Sequence, residues 1–154
     1  MTLTFQVVLG ILAALIGSMG FYAAAGHKAD ADAARKGTQF LLGAGDFLVH
    51  WFMWLITPLE RTALAVGLGP TFFNFAGVCF GLASGVLVGL GRLELGGWAI
   101  ALGGVCDILD GRIARALKIA SPFGKFLDST LDRFVETFVF LGFVWYFADR
   151  PRAA

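Results

Sequence analysis

From Phe5 to Ala25, and again from Thr71 to Leu90, not one residue carries a charge. Each stretch reaches the roughly 20 apolar residues that a helix needs to cross the hydrocarbon core of a bilayer. In a chain of 154 residues that is 58% hydrophobic and only 15% charged, these runs fix the class before any motif is read. The expectation is an all-α, polytopic membrane helical bundle, an integral membrane protein in contact with the lipid bilayer. The net charge of +1 gives no basis for a nucleic-acid partner. Cys79 and Cys106 lie in apolar stretches without framework spacing and read as small packing residues.

Residues 1–26 are expected to form an N-terminal transmembrane helix. Ala23-Ala24-Ala25 resembles a cleavage site, but no Lys or Arg precedes the apolar run, as a signal peptide would require, so a retained helix is favoured. Residues 27–45 form a polar linker carrying Lys28, Asp30, Asp32, Arg35 and Lys36. Asp46 to Val66 has Trp51 and Trp54 close to polar breaks, with Pro58, Glu60 and Arg61 following. That pattern suits an amphipathic helix lying in the membrane interface, with His50 an interfacial side chain.

The span from about Thr71 to Leu90 repeats glycine every fourth residue, at Gly77, Gly81, Gly85 and Gly89. Small residues at that spacing let a neighbouring backbone come close, so the stripe reads as a packing surface. Third and fourth spans run from about Gly97 to Ala120 and from about Pro122 to Ala148, with 149–154 a tail. Ser121 can cap the fourth helix and Pro122 suits its first turn. The connection is short, so the two helices are expected to form an antiparallel hairpin. Arg112, Arg115, Lys118 and Lys125 gather at its turn, which places that end in the cytoplasm.

These two helices carry the chemistry. The third holds Asp107, Asp110, Gly111, Ala114 and Arg115 within roughly 140° of arc, and the fourth repeats Gly124, Asp128 and Asp132 on one face. An ionised side chain at the centre of a membrane costs roughly 2.5–3.5 kcal/mol or more, and so marks a function and a partner. In an antiparallel hairpin, Asp107 with Asp132 and Gly111 with Asp128 have the same position sum and stand at equal levels. Four acids and one suitably spaced arginine, Arg115, do not neutralise one another. Hard divalent cations prefer such oxygen ligands, and Mg²⁺ sites commonly join carboxylates to substrate phosphates. Two ions bridged by the cluster would clamp the attacking and leaving oxygens of a phosphoryl displacement. Gly111 and Gly124 leave room for a ligand, and Arg115 can grip phosphate.

The pattern D-x2-D-G-x2-A-R-x8-G-x3-D-x3-D, met at every fixed position, resembles the signature of the CDP-alcohol phosphotransferases, integral membrane enzymes of phospholipid synthesis. The resemblance covers roughly residues 47–148, a CDP-alcohol phosphotransferase-like membrane domain over 46–148. It implies transfer of a phosphatidyl group from a CDP-linked lipid, such as CDP-diacylglycerol, to an alcohol acceptor with release of CMP. It also implies Mg²⁺ or Mn²⁺, two ions, held by Asp107, Asp110, Asp128 and Asp132. Asp132 is the implied general base, and Gly111, Ala114, Arg115 and Gly124 the implied nucleotide contacts. A homodimer is expected, in a bacterial cytoplasmic membrane with the site facing the cytoplasm. The glycine stripe from Gly77 to Gly89 offers one surface for close contact between copies.

The sequence departs from the family's pattern in two ways. Family members commonly have six spanning helices, whereas this chain ends soon after the second motif helix and looks truncated beside them. The corresponding expectation is that the 154-residue chain is catalytically weak or inactive unless a partner supplies the missing helices. Many members also open their first core helix with Pro-Asn-x-x-Thr, where this chain has Pro70-Thr71-Phe72-Phe73-Asn74. The run Asp128-Ser129-Thr130-Leu131-Asp132-Arg133, with Glu136 following, is similar to the inositol-phosphate branch. The rival readings are a divalent-cation transport protein and an inactive remnant that keeps a metal-binding hairpin. Binding of a cytidine nucleotide separates the transporter from the enzyme.

Overall fold

The computed structural model describes residues 3–26 and 44–148. The polar linker over 27–45, but for its last two positions, and the tail over 149–154 lie outside the described residues. Among those described there are five helices and no strand: α1 (Leu3–Ala24), α2 (Ala44–Ala65), α3 (Pro70–Gly89), α4 (Leu93–Ala116) and α5 (Pro122–Ala148). The all-α expectation holds. α1, over Gln6–Ala24, and α3 are long and apolar enough to cross a membrane. α4 and α5, of 24 and 27 residues, are long enough to span but are interrupted by the acids. Phe126, Phe134, Phe140 and Phe147 of α5 point outward, as expected for a helix solvated by lipid.

The chain divides into two compact units, 1–58 and 59–154, with the boundary inside α2 at Pro58. In the first unit the tryptophans of α2 turn toward α1. Trp51 is buried and donates from Nε1 to Ser18 Oγ at 3.0 Å, while the Trp54 ring lies tilted by 49° to that of Tyr22, their centroids 5.6 Å apart. Their pattern suggests rings resting at the membrane interface. The Trp51 indole N–H finds a hydroxyl within the protein, which is how buried tryptophan is usually satisfied.

The second unit is organised around α3. Helix α4 packs antiparallel against it: Ser84 Oγ donates to the Gly96 carbonyl at 2.8 Å, and Gly77 faces Gly103. The reversal between them is closed by Gly91 at φ 77°, with Arg92 N–H donating to the Leu87 carbonyl at 2.8 Å. This is the glycine-terminated helix end that few other residues adopt without strain. Helix α5 packs along the other side of α3, in the same direction. A Cβ on Gly81 would press on Val135, one on Gly85 would strike the Phe138 carbonyl, and one on Gly89 would enter the Trp145 ring. The stripe is therefore filled by α5 within the same chain, and Gly81, Gly85 and Gly89 are not a surface for a second copy.

Two expectations about the motif hairpin change. Helix α4 ends at Ala116 and not at about Ala120, because Lys118 adopts φ 59° and Ile119 N–H returns to the Ala114 carbonyl at 3.0 Å. The two motif helices also do not zip face to face. Their extensive packing is with α3, which stands between them. Ser121 does cap α5, its Oγ accepting from Gly124 N–H at 3.1 Å.

Candidate metal centre

The wedge left between α4 and α5 on one side of α3 is a cavity of about 170 Å³. Asp107 and Asp110 enter it from α4, and Asp128 and Asp132 from α5. Phe73, Asn74 and Gly77 of α3, with Gly103 and Gly104 of α4, form much of the remaining wall. Gly77 and Gly103 face each other across the two backbones, and Gly104 has open space beside it. Asn74, one turn into α3, was not assignable from the shifted Pro-Thr-Phe-Phe-Asn opening. Here it borders the acids, its Nδ2 donating to the Pro70 carbonyl at 3.4 Å.

Carboxylate oxygens of Asp107, Asp110 and Asp128 all lie within 4.8 Å of one another. Asp110 is buried, Asp128 half-buried and Asp107 exposed toward the mouth. Oxygens bound to one Mg²⁺ at about 2.1 Å stand up to about 4.2 Å apart. Small side-chain rotations therefore suffice for this trio to close on a hard cation. The all-oxygen donor set is the one such ions select. The position-sum rule set Asp132 opposite Asp107 and Gly111 opposite Asp128. In the structure Asp128 is the α5 acid that joins the α4 pair, while Asp132 lines the same cavity outside the trio. The register shifts because the helices meet through α3 and not through each other.

The remaining motif residues lie nearer the turn, outside this cavity's lining. Gly111 holds open a space into which the Arg115 guanidinium folds, 3.2 Å from where a Cβ would be. Arg115 is otherwise exposed, and Ala114 is half-buried beside it. Gly124 faces only Ser121 Oγ. Arg133 and Glu136 form an exposed pair one turn apart at 2.5 Å, a surface interaction of small energetic weight.

One structural feature was hidden in the sequence. Arg112, grouped by charge with the turn residues, is buried and donates from Nε to Glu60 Oε2 at 2.6 Å. Nothing in the spacing links positions 52 residues apart. An arginine in a motif helix beside a glutamate on a preceding amphipathic helix was the available hint.

Residues 68–150 match the family model described as CDP-alcohol phosphatidyltransferase. The chain is 34% identical over 105 residues to phosphatidylinositol phosphate synthase of Mycobacterium tuberculosis, covering 65% of this chain and 48% of that protein. It is 48% identical over 58 residues to the protein of that name from Cutibacterium acnes, covering 38% and 28% of the two chains. It is 36% identical over 88 residues to archaetidylinositol phosphate synthase of Pyrococcus horikoshii, covering 55% and 47%. The chain spans about half the length, or less, of these relatives. No solved structure matches it. The matched region contains both acid-bearing helices and the α3 helix that holds them apart, and with it the chain belongs to the CDP-alcohol phosphatidyltransferase family.

Proposed function

We propose that this chain transfers a phosphatidyl group from a CDP-linked lipid to the hydroxyl of an alcohol acceptor, with release of CMP. The observation that carries the reading is the meeting of Asp107, Asp110 and Asp128 in one cavity, with Asp132 on its wall. Those four residues would hold Mg²⁺ or Mn²⁺, two ions in the complete site. Such ions, when bound, offset the negative charge of the donor diphosphate and of the oxygens that gain charge during displacement.

The chain's own groups have separable tasks. Asp132, at the edge of the trio, accepts the proton of the acceptor hydroxyl, whose oxygen then bonds to the lipid-bearing phosphorus. The bond from that phosphorus to the CMP oxygen breaks, and CMP leaves with the electron pair. Arg115 grips a phosphate of the nucleotide end. Gly111, Ala114 and Gly124, each small, leave the approach to it open. The acceptor is an inositol phosphate, a reading supported by the names of the relatives and by the Asp128 to Arg133 run. The site faces the cytoplasm in a homodimer, whose contact lies away from the stripe that α5 covers.

The test is purified chain in detergent with Mn²⁺ and CDP-diacylglycerol, offered a panel of acceptor alcohols, with CMP release as the readout. Acceptor-dependent CMP release, greatest with inositol phosphate, is the expected result. Mn²⁺ binding with no affinity for CMP or CDP-diacylglycerol would point to cation transport instead.

A further inference from the structure

We propose that Glu60 and Arg112 are a positioning pair that fixes the rotation of α4, and so aims Asp107 and Asp110 at Asp128. This rests on the metal-site reading above. The pair is well built: Nε to Oε2 is 2.6 Å, and the two side chains are only 7% and 15% exposed. Arg112 follows Asp110 by two residues, about 200° around the helix. It therefore reaches out from the side of α4 away from the acid cavity, at nearly the same axial level. Glu60 stands on the part of α2 that belongs to the same compact unit as the site.

Rotation is the sensitive coordinate. Packing of small residues lets α3 and α4 approach closely, with Gly77 opposite Gly103 and Gly96 opposite Ser84 and Val88. Near the start of α4, Ser84 Oγ on the Gly96 carbonyl and Val88 against Gly96 resist turning. Nearer the acids the Gly77–Gly103 contact offers no side chain to do so, and Arg112 supplies a directional anchor there. A carboxylate oxygen carried about 6 Å from the axis moves about 2 Å when the helix turns by about 20°. That is nearly a full metal–oxygen bond length, enough to remove a ligand. An ion pair with directional N–H donation, anchored opposite the site, opposes that turn. Guanidinium suits the task because its donors are held in a rigid plane.

The experiment separates positioning from mere stability. Three chains are purified in detergent alongside the unaltered protein: Arg112→Met, the double Glu60→Met/Arg112→Met, and Arg112→Lys. Each is measured for melting temperature without metal and for Mn²⁺ affinity by electron paramagnetic resonance. The single Met variant leaves Glu60 without this partner, and both readings should fall. Replacing a buried pair by apolar residues of similar size is often neutral for stability. The double variant should therefore melt near the unaltered chain yet bind Mn²⁺ about tenfold more weakly, in the range typical of supporting residues around metal ligands. Arg112→Lys keeps the charge and the fold and should show a smaller, severalfold loss. If the double variant, or the Lys variant where the double does not fold, binds Mn²⁺ within about twofold of the unaltered chain, the positioning role is overturned. Failure of the unaltered chain itself to bind Mn²⁺ would overturn the metal site and this role together.

Discussion

Gly142 lies directly against the backbone of Gly85: a Cβ on Gly142 would collide with the Gly85 carbonyl and Cα. This contact sets how closely α5 approaches α3, and so where Asp128 and Asp132 stand relative to the α4 acids. Gly142→Leu should force the helices apart, lowering stability by about 1–3 kcal/mol or more, as overpacking does. Gly97, on α4 with open space beside it, is the control. Gly97→Ala should leave stability unchanged or raise it by up to about 1 kcal/mol, since alanine is the better helix former. Thermal melts in one detergent compare the two.

Asp132→Asn keeps the shape of the side chain and removes its capacity to take a proton. Turnover should fall by about 10²–10⁴-fold, the usual range for loss of a general base. CDP-diacylglycerol binding should remain measurable by calorimetry. Near-normal CMP release from this variant would exclude Asp132 as the base.

At Gly111 the nearest side-chain atoms to a new Cβ belong to the Arg115 guanidinium, at 3.2 Å. Gly111→Leu should therefore fill the space and displace the arginine, abolishing CMP binding. Leucine favours helix over glycine by somewhat under about 1 kcal/mol, so the melting temperature should not fall. Binding of CMP with unaltered affinity would place the nucleotide away from this face.

Lys118 holds the left-handed conformation that ends α4, at φ 59°. A residue with a side chain bears about 1–2 kcal/mol of steric cost there that glycine avoids. Lys118→Gly should thus raise stability by about 1 kcal/mol, part of the gain being offset by the greater freedom of an unfolded glycine. A lower melting temperature would show that the lysine side chain supports the turn.

Helices and candidate site were legible in the sequence to different degrees. Uncharged runs and the spacing of the acids marked α1, α3 and the two motif helices because membrane solvation and helical period act along the chain. The gathering of Asp107, Asp110, Asp128 and Asp132 at one cavity followed from the same spacing. Their register did not, since the position-sum rule assumes two helices in direct contact, and α3 intervenes. Gly81 and Gly85 were recognisable as packing residues, but composition does not say whether α5 or a second chain fills the groove. The Glu60–Arg112 pair depends on how α2 returns toward α4, which no local pattern encodes.

The length of α5, and the place of the acids near one end of it, also bear on the proposed chemistry. Its 27 residues extend about 40 Å, roughly 10 Å beyond the thickness of the hydrocarbon core. Asp128 comes only six residues after Pro122, and Asp110 six before Ala116, about 9 Å from the respective helix ends. Asp107 and Asp132 follow at about 14 and 15 Å. All four carboxylates therefore stay within one leaflet of the turn between the helices. For the proposed transfer, a lipid donor can present its headgroup at that shallow level while its acyl tails keep their place among their neighbours, with no extraction of lipid into water.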